Sequence, residues 1–79
     1  MTGAQLRAAR ALLGWTAQQL ADASNVGVAT IRRAEVEDGP VRMIPANVAA
    51  IVRALDEAGV IYIEANGGGP GVRLKENPA

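Results

Sequence analysis

Two Thr-x-x-Gln boxes, Thr2–Gln5 and Thr16–Gln19, constrain this chain more than any other feature. In such a box the threonine hydroxyl accepts from the backbone amide three residues on, and the glutamine reaches back to the threonine amide. Each box therefore marks the start of a helix. Behind Thr2, Leu6, Ala9 and Leu13 recur at helical spacing with Leu12 beside them. Gly14 supplies the left-handed residue that ends this helix. Trp15 follows and is expected to fold back onto the core. The second box opens a short helix through Ala17, Leu20, Ala21 and Ala23, interrupted at Ser24-Asn25-Val26-Gly27. Asn25 tolerates the left-handed conformation of a tight turn, and Val26 is placed to plug the angle between helices.

A third helix is predicted from Val28 to Glu37, with Ile31 and Ala34 inward, stopped by Asp38-Gly39-Pro40. After a loop from Val41 to Ile44, Pro45 is a favoured first helical residue. The fourth helix presents Val48, Ile51, Val52 and Leu55 as its apolar stripe and ends at Gly59. The period then changes. Val60-Ile61-Tyr62-Ile63-Glu64 is β-branched and aromatic, and Val72-Arg73-Leu74-Lys75 alternates apolar with basic. Both read as strands, joined by Asn66 to Gly71. That glycine-rich loop lacks the lysine, Ser/Thr and following helix of a phosphate loop, so it reads as a hairpin turn. Residues 76–79 are expected to fray.

The unit from Thr16 to Glu35 is a capped helix, a short turn and a second helix. Helices so joined cross steeply and expose the start of the second, a face that fits the major groove of DNA. Here the chain resembles the Xre/Cro family of phage repressors and small bacterial regulators. The matching residues are Gly14, Thr16, Leu20, Ala21, Val26, Thr30, Ile31 and Glu35, with Arg10 on the first helix. The resemblance covers residues 4 to about 55. Two positions depart from the family pattern: Ala17 stands where a phosphate-contacting glutamine is frequent, and Asn25 where glycine is usual.

The fold class expected is mainly α: a four-helix lambda-repressor-like helix-turn-helix domain with a C-terminal β-hairpin. Residues 1–59 form the DNA-binding part and residues 60–79 a dimerisation element. Val60, Ile61, Tyr62, Ile63, Val72 and Leu74 are its candidate contact residues, because an isolated two-stranded hairpin is only marginally stable. The hairpin either packs on the fourth helix or pairs with that of a second subunit. On the dimer reading, removing residues 60–79 leaves a folded monomer.

The resemblance implies base reading by Val28, Ala29, Arg32 and Arg33. The apolar pair would meet thymine methyl groups or simply pack the helix start. Either arginine would fork onto guanine. Backbone contacts fall to Thr16, Gln18, Gly27, Thr30 and Arg42, where phosphates orient the protein without specifying sequence. Arg10 and Glu35 are expected to form a structural ion pair between the first and third helices.

Composition bounds the alternatives. The formal net charge is zero, whereas most DNA-binding domains are basic; the distribution of charge matters more than its total. Arg7, Arg10, Arg32, Arg33 and Arg42 precede Asp56, Glu57, Glu64 and Glu76. With no cysteine and no histidine, neither disulfides nor the usual zinc site is expected, and no cofactor is called for. No catalytic set is visible, so the chain reads as no enzyme. No apolar run reaches the roughly 20 residues that span a bilayer, and Met1 to Gln5 does not read as a signal peptide. These features place the chain in the cytoplasm, away from membranes. The expected partners are double-stranded DNA, a second copy in a homodimer, and possible contact with RNA polymerase. The resemblance is to stand-alone controllers on phages and other mobile elements, repressing or activating. Two other functions use the same fold: the DNA-binding antitoxin of a toxin–antitoxin pair, and a protein-interaction module that no longer binds DNA.

Overall fold

The computed structural model describes residues 1–76. Four helices and a hairpin follow in chain order: α1 Gly3–Leu13, α2 Ala17–Ser24, α3 Val28–Glu35, α4 Pro45–Ala58, β1 Val60–Ile63 and β2 Gly71–Leu74. Both capping boxes close. Thr2 Oγ1 accepts from Gln5 N at 3.0 Å while Thr2 N donates to Gln5 Oε1 at 2.9 Å. Thr16 and Gln19 repeat the pattern at 3.1 and 2.8 Å. Gly14 ends α1 at φ 67°, and Asn25 ends α2 at φ 58°. The turn after α2 is tied by Ser24, whose buried hydroxyl donates to Leu20 O and accepts from Val26 N.

The core gathers Leu6 and Ala9 of α1, Leu20 and Ala21 of α2, Val26 of the turn, Ile31 of α3, Ile51 and Leu55 of α4, and Val60 of β1. Six of these, Leu6, Leu20, Ile31, Ile51, Leu55 and Val60, are fully enclosed, and each such side chain contributes about 1.5–3 kcal/mol by leaving water. Trp15 is half-buried and packs against this cluster. Among the described residues no buried side-chain nitrogen or oxygen lacks a hydrogen-bond partner.

The ends of α3 and of the strands, and the buried face of α4, differ from the sequence expectation. Helix α3 closes at Glu35 instead of Glu37, because the chain beyond it is drawn onto the start of α1. Gly3 N donates to Gly39 O at 2.9 Å, and the Arg7 guanidinium donates to the carbonyls of Glu35 and Glu37. On α4 the buried stripe is Ile51, Ala54 and Leu55, whereas Val48 and Val52 are only partly covered. The stripe is rotated because α2 and β1 both pack on α4. The strands are Val60–Ile63 and Gly71–Leu74, one residue short of each expected C-terminal end. Of the residues expected to fray, Glu76 is exposed, and residues 77–79 lie outside the described part.

The hairpin is antiparallel, with Val60 opposite Leu74, Ile61 opposite Arg73, Tyr62 opposite Val72 and Ile63 opposite Gly71. Opposed residues share a face and neighbours alternate. Val60, Tyr62, Val72 and Leu74 therefore share the inward face, and Ile61, Ile63 and Arg73 the outward one. The candidate dimerisation set is thus divided. Val60 is wholly enclosed in the chain's own core, with Val72 and Leu74 packed against that core. A partner cannot reach the Val60 side chain in this state. The hairpin is also held from α1, where Gln5 Nε2 donates to Ile63 O at 2.8 Å and Gly71 O at 3.1 Å. Removing residues 60–79 would take Val60 out of the core and both carbonyl partners from the Gln5 amide.

Candidate nucleic-acid interface

The two-helix unit is set by three local devices. The Thr16 box starts α2, Asn25 turns the chain, and Val26, buried beneath the turn, anchors it. Gly27 then precedes α3 and has no side-chain cap, but its carbonyl accepts from Thr30 N and Ile31 N. With Ile31 wholly buried, the opposite side of α3 must face outward.

The outward residues include Ala29, Arg32 and Arg33, all exposed. Val28 is half-buried and packs against the core, so packing accounts for part of its surface and leaves part accessible. Thr30 is half-buried, and its hydroxyl accepts a long contact from Arg33 Nη2 at 3.5 Å. Gly27 is exposed at the helix start. Thr16 and Gln18 are exposed at the start of α2. The Thr16 Oγ1 caps Gln19 N, and Gln18 Nε2 donates to Asp22 Oδ1 at 2.9 Å. Helix starts carry backbone amides without internal partners, which suit an anion; here those of Ala17 and Gln18 lie beside the capped Thr16.

Arg42 is exposed in the loop before α4. It lines a cleft of about 420 Å³ together with Thr30, Arg33, Val36, Glu37 and Val41. The structure therefore brings Arg33 and Arg42, distant in sequence expectation as base and backbone contacts, to one cleft. A second concavity of about 350 Å³ lies between α2 and the start of α3, lined by Gln18, Asp22, Asn25, Gly27 and Val28 among others.

Part of the charge is paired within the chain. Arg7 pairs with Asp38, Arg10 with Glu35 and Lys75 with Asp56. Among the described residues, Arg32, Arg33 and Arg42 take part in no ion pair. The cationic groups left free include those beside the exposed face of α3. Glu37 in the cleft and Asp22 on α2 are the acidic neighbours.

Arg10 and Glu35 form a two-pronged fork: Arg10 Nε to Glu35 Oε2 and Nη2 to Oε1, both at 2.7 Å. The third prong, Nη1, donates to Trp15 O at 2.8 Å. The Glu35 side chain is 8% exposed and that of Arg10 22%. Hydrogen bonding to Glu35 raises the already high pKa of Arg10, against the opposing effect of burial. The fork binds α1 to α3.

This arrangement matches a known pattern. Residues 6–43 fit the family model described as helix-turn-helix, which runs from within α1 through α2 and α3 into the following loop as far as Met43. Over these residues the chain is similar to the helix-turn-helix family of Xre/Cro type. No curated protein sequence matches the chain. Domains of that family are DNA-binding. Among the described residues no helix is long and apolar enough to cross a membrane, and no group of acidic residues is placed to hold a metal ion.

Sequence reasoning missed two positions on which the site depends. Gly3 lets α1 approach the end of α3 so closely that a Cβ there would stand 1.9 Å from Glu37 O and 2.5 Å from Ala34 O. Gln5, read only as a capping residue, is also the clasp of the hairpin. A glycine at the first position of a capped helix was the available signal for the former; nothing local marks the latter.

Proposed function

We propose that this helix-turn-helix protein is a sequence-specific transcriptional regulator that binds a palindromic operator as a homodimer, with α3 in the major groove. One observation carries the reading: Ala29, Arg32 and Arg33 are exposed on α3 while Ile31, on its other side, is fully enclosed. Val28 and Ala29 meet thymine methyl groups. Arg32 or Arg33 forks onto guanine, a pairing that contributes about 1–3 kcal/mol of discrimination. Phosphates on either side are met by the start of α2 at Thr16 and Gln18, by Gly27 and Thr30, and by Arg42.

The dimer uses the hairpin's outward face and free edges, with Ile61 and Ile63 as the apolar contacts. The inward residues Tyr62, Val72 and Leu74 support that face from beneath. One protomer measures 33 × 28 × 20 Å. Two copies side by side thus suit recognition helices about 34 Å apart, one turn of DNA.

Selection of bound duplexes from a random pool tests the reading. An inverted repeat with half-sites one helical turn apart is expected. Recovery of a single unrepeated site would remove the dimer, and no enrichment would remove sequence-specific binding. The paired substitution Ile61→Lys with Ile63→Lys should sediment as a monomer and weaken operator binding. An intact dimer would place the interface elsewhere.

A further inference from the structure

Arg42 sits in a segment with little structure of its own. Between α3 and α4, the one paired residue is Pro40, in an isolated bridge with Thr2. Surface segments of this kind are ordinarily mobile. Here the segment is laced to the start of α1. Val41 N donates to Met1 O at 3.1 Å, Gly3 N to Gly39 O at 2.9 Å and Ala4 N to Asp38 O at 3.4 Å. Arg7, one turn further along α1, closes the lacing. Its guanidinium donates to the carbonyls of Glu35 and Glu37 and pairs with the Asp38 carboxylate. The Arg10–Glu35 fork docks the same helix on α3. The loop and the recognition helix are therefore held by one element.

We propose that Arg7 is a positioning residue for DNA binding: through Asp38 and the Glu35 and Glu37 carbonyls it holds the loop so that Arg42 lines the same cleft as Arg33. The inference rests on the reading of α3 and Arg42 as the DNA face. Arg7 acts on the nucleic acid only through the loop, since its charge is matched by Asp38. Holding the loop before DNA arrives removes an ordering cost from the binding step.

The sign of one substitution separates positioning from simple charge. Asp38→Asn deletes a negative charge, which by itself would tighten binding to a polyanion. If Asp38 and Arg7 position Arg42, Asp38→Asn weakens binding instead. The probe is a random-sequence duplex, with affinity followed from 50 to 200 mM salt. Arg42→Ala should remove one phosphate contact, lowering the salt slope by about 0.9, or about threefold across that range. Asp38→Asn and Arg7→Met should move the slope toward that value and add little in the Arg42→Ala background. Tighter or unchanged binding by Asp38→Asn, or full additivity with Arg42→Ala, would overturn the proposal. Amide exchange in the free protein gives a readout independent of DNA. The Val41 amide should exchange faster in Arg7→Met and Asp38→Asn, while the Leu20 amide in the core stays as in the parent; an unchanged Val41 rate overturns the proposal. If the parent protein binds no duplex, the DNA reading fails, and the exchange rates still decide whether Arg7 holds the loop.

Discussion

Replacing Gly3 by alanine tests how closely α1 must approach the end of α3. Judged locally, the change should help, because glycine in a helix is about 1 kcal/mol less favourable than alanine. The tertiary structure reverses the sign. A Cβ at Gly3 would lie 1.9 Å from Glu37 O and 2.5 Å from Ala34 O, both backbone atoms. Ordinary contact begins near 3.4 Å, so the Glu37 carbonyl would have to retreat by roughly 1.5 Å. That movement strains the Gly3 N to Gly39 O bond and displaces a carbonyl that Arg7 holds. Overpacking costs about 1–3 kcal/mol, and one weakened hydrogen bond adds about 1 kcal/mol. Against the propensity gain, the net is a loss of about 2 kcal/mol, or roughly 8–16 °C in Tm for a domain of this size. Urea unfolding can be followed by the fluorescence of Trp15, the single tryptophan. Gly68→Ala is the control: a Cβ there meets nothing within 4 Å and the backbone is not left-handed, so it should be neutral or stabilising by about 0.4–1 kcal/mol. A Gly3→Ala midpoint equal to or above that of the parent would refute the close-approach reasoning.

Arg33→Ala should weaken operator binding by about 1–3 kcal/mol and relax preference at one base pair; gel shifts with a panel of single-base operator variants check this, and an unchanged panel would exclude Arg33 from base reading. Glu35→Ala should destabilise the fold by about 3 kcal/mol, the lower end for a broken buried pair, because Arg10 keeps its bond to Trp15 O and some access to water. Denaturant unfolding measures it, and a loss under 1 kcal/mol would make the fork incidental. Tyr62, the single tyrosine, has its phenol pKa raised above the ordinary 10 by burial and then by the Glu64 charge. The folded state therefore binds that proton more tightly than the unfolded state. The associated stability is present below pH 10 and is lost as pH rises through the folded midpoint. An absorbance titration of the phenolate should show a midpoint above that of the unfolded chain; an equal or lower one would contradict the placement of Tyr62.

How much of this was legible in the chain depended on the range of the interaction. The capping boxes at Thr2 and Thr16, the left-handed residues Gly14 and Asn25, and Pro45 at the start of α4 are signals between residues a few positions apart. They located the helix starts and the turn within α2–α3. The Arg10–Glu35 pairing was anticipated through resemblance to a family, since the residues themselves carry no distance information. The exposed face of α3 followed once Ile31 was assigned inward.

The remainder depended on what lay opposite. The length of α3 was set by Arg7 and Gly3 drawing the following chain aside, and the buried side of α4 by α2 and β1 packing on it. The fate of Val60 was settled by β1 packing on α4 and into the shared core. Sequence by itself determined where helices begin and turn, because caps, turns and periodicity act along the backbone over a single helical turn. Tertiary structure alone decided that an alanine cannot replace Gly3, which face of the hairpin stays free and that Arg42 shares a cleft with Arg33. Those outcomes depend on atoms brought together by packing, and their separations are written in no local pattern.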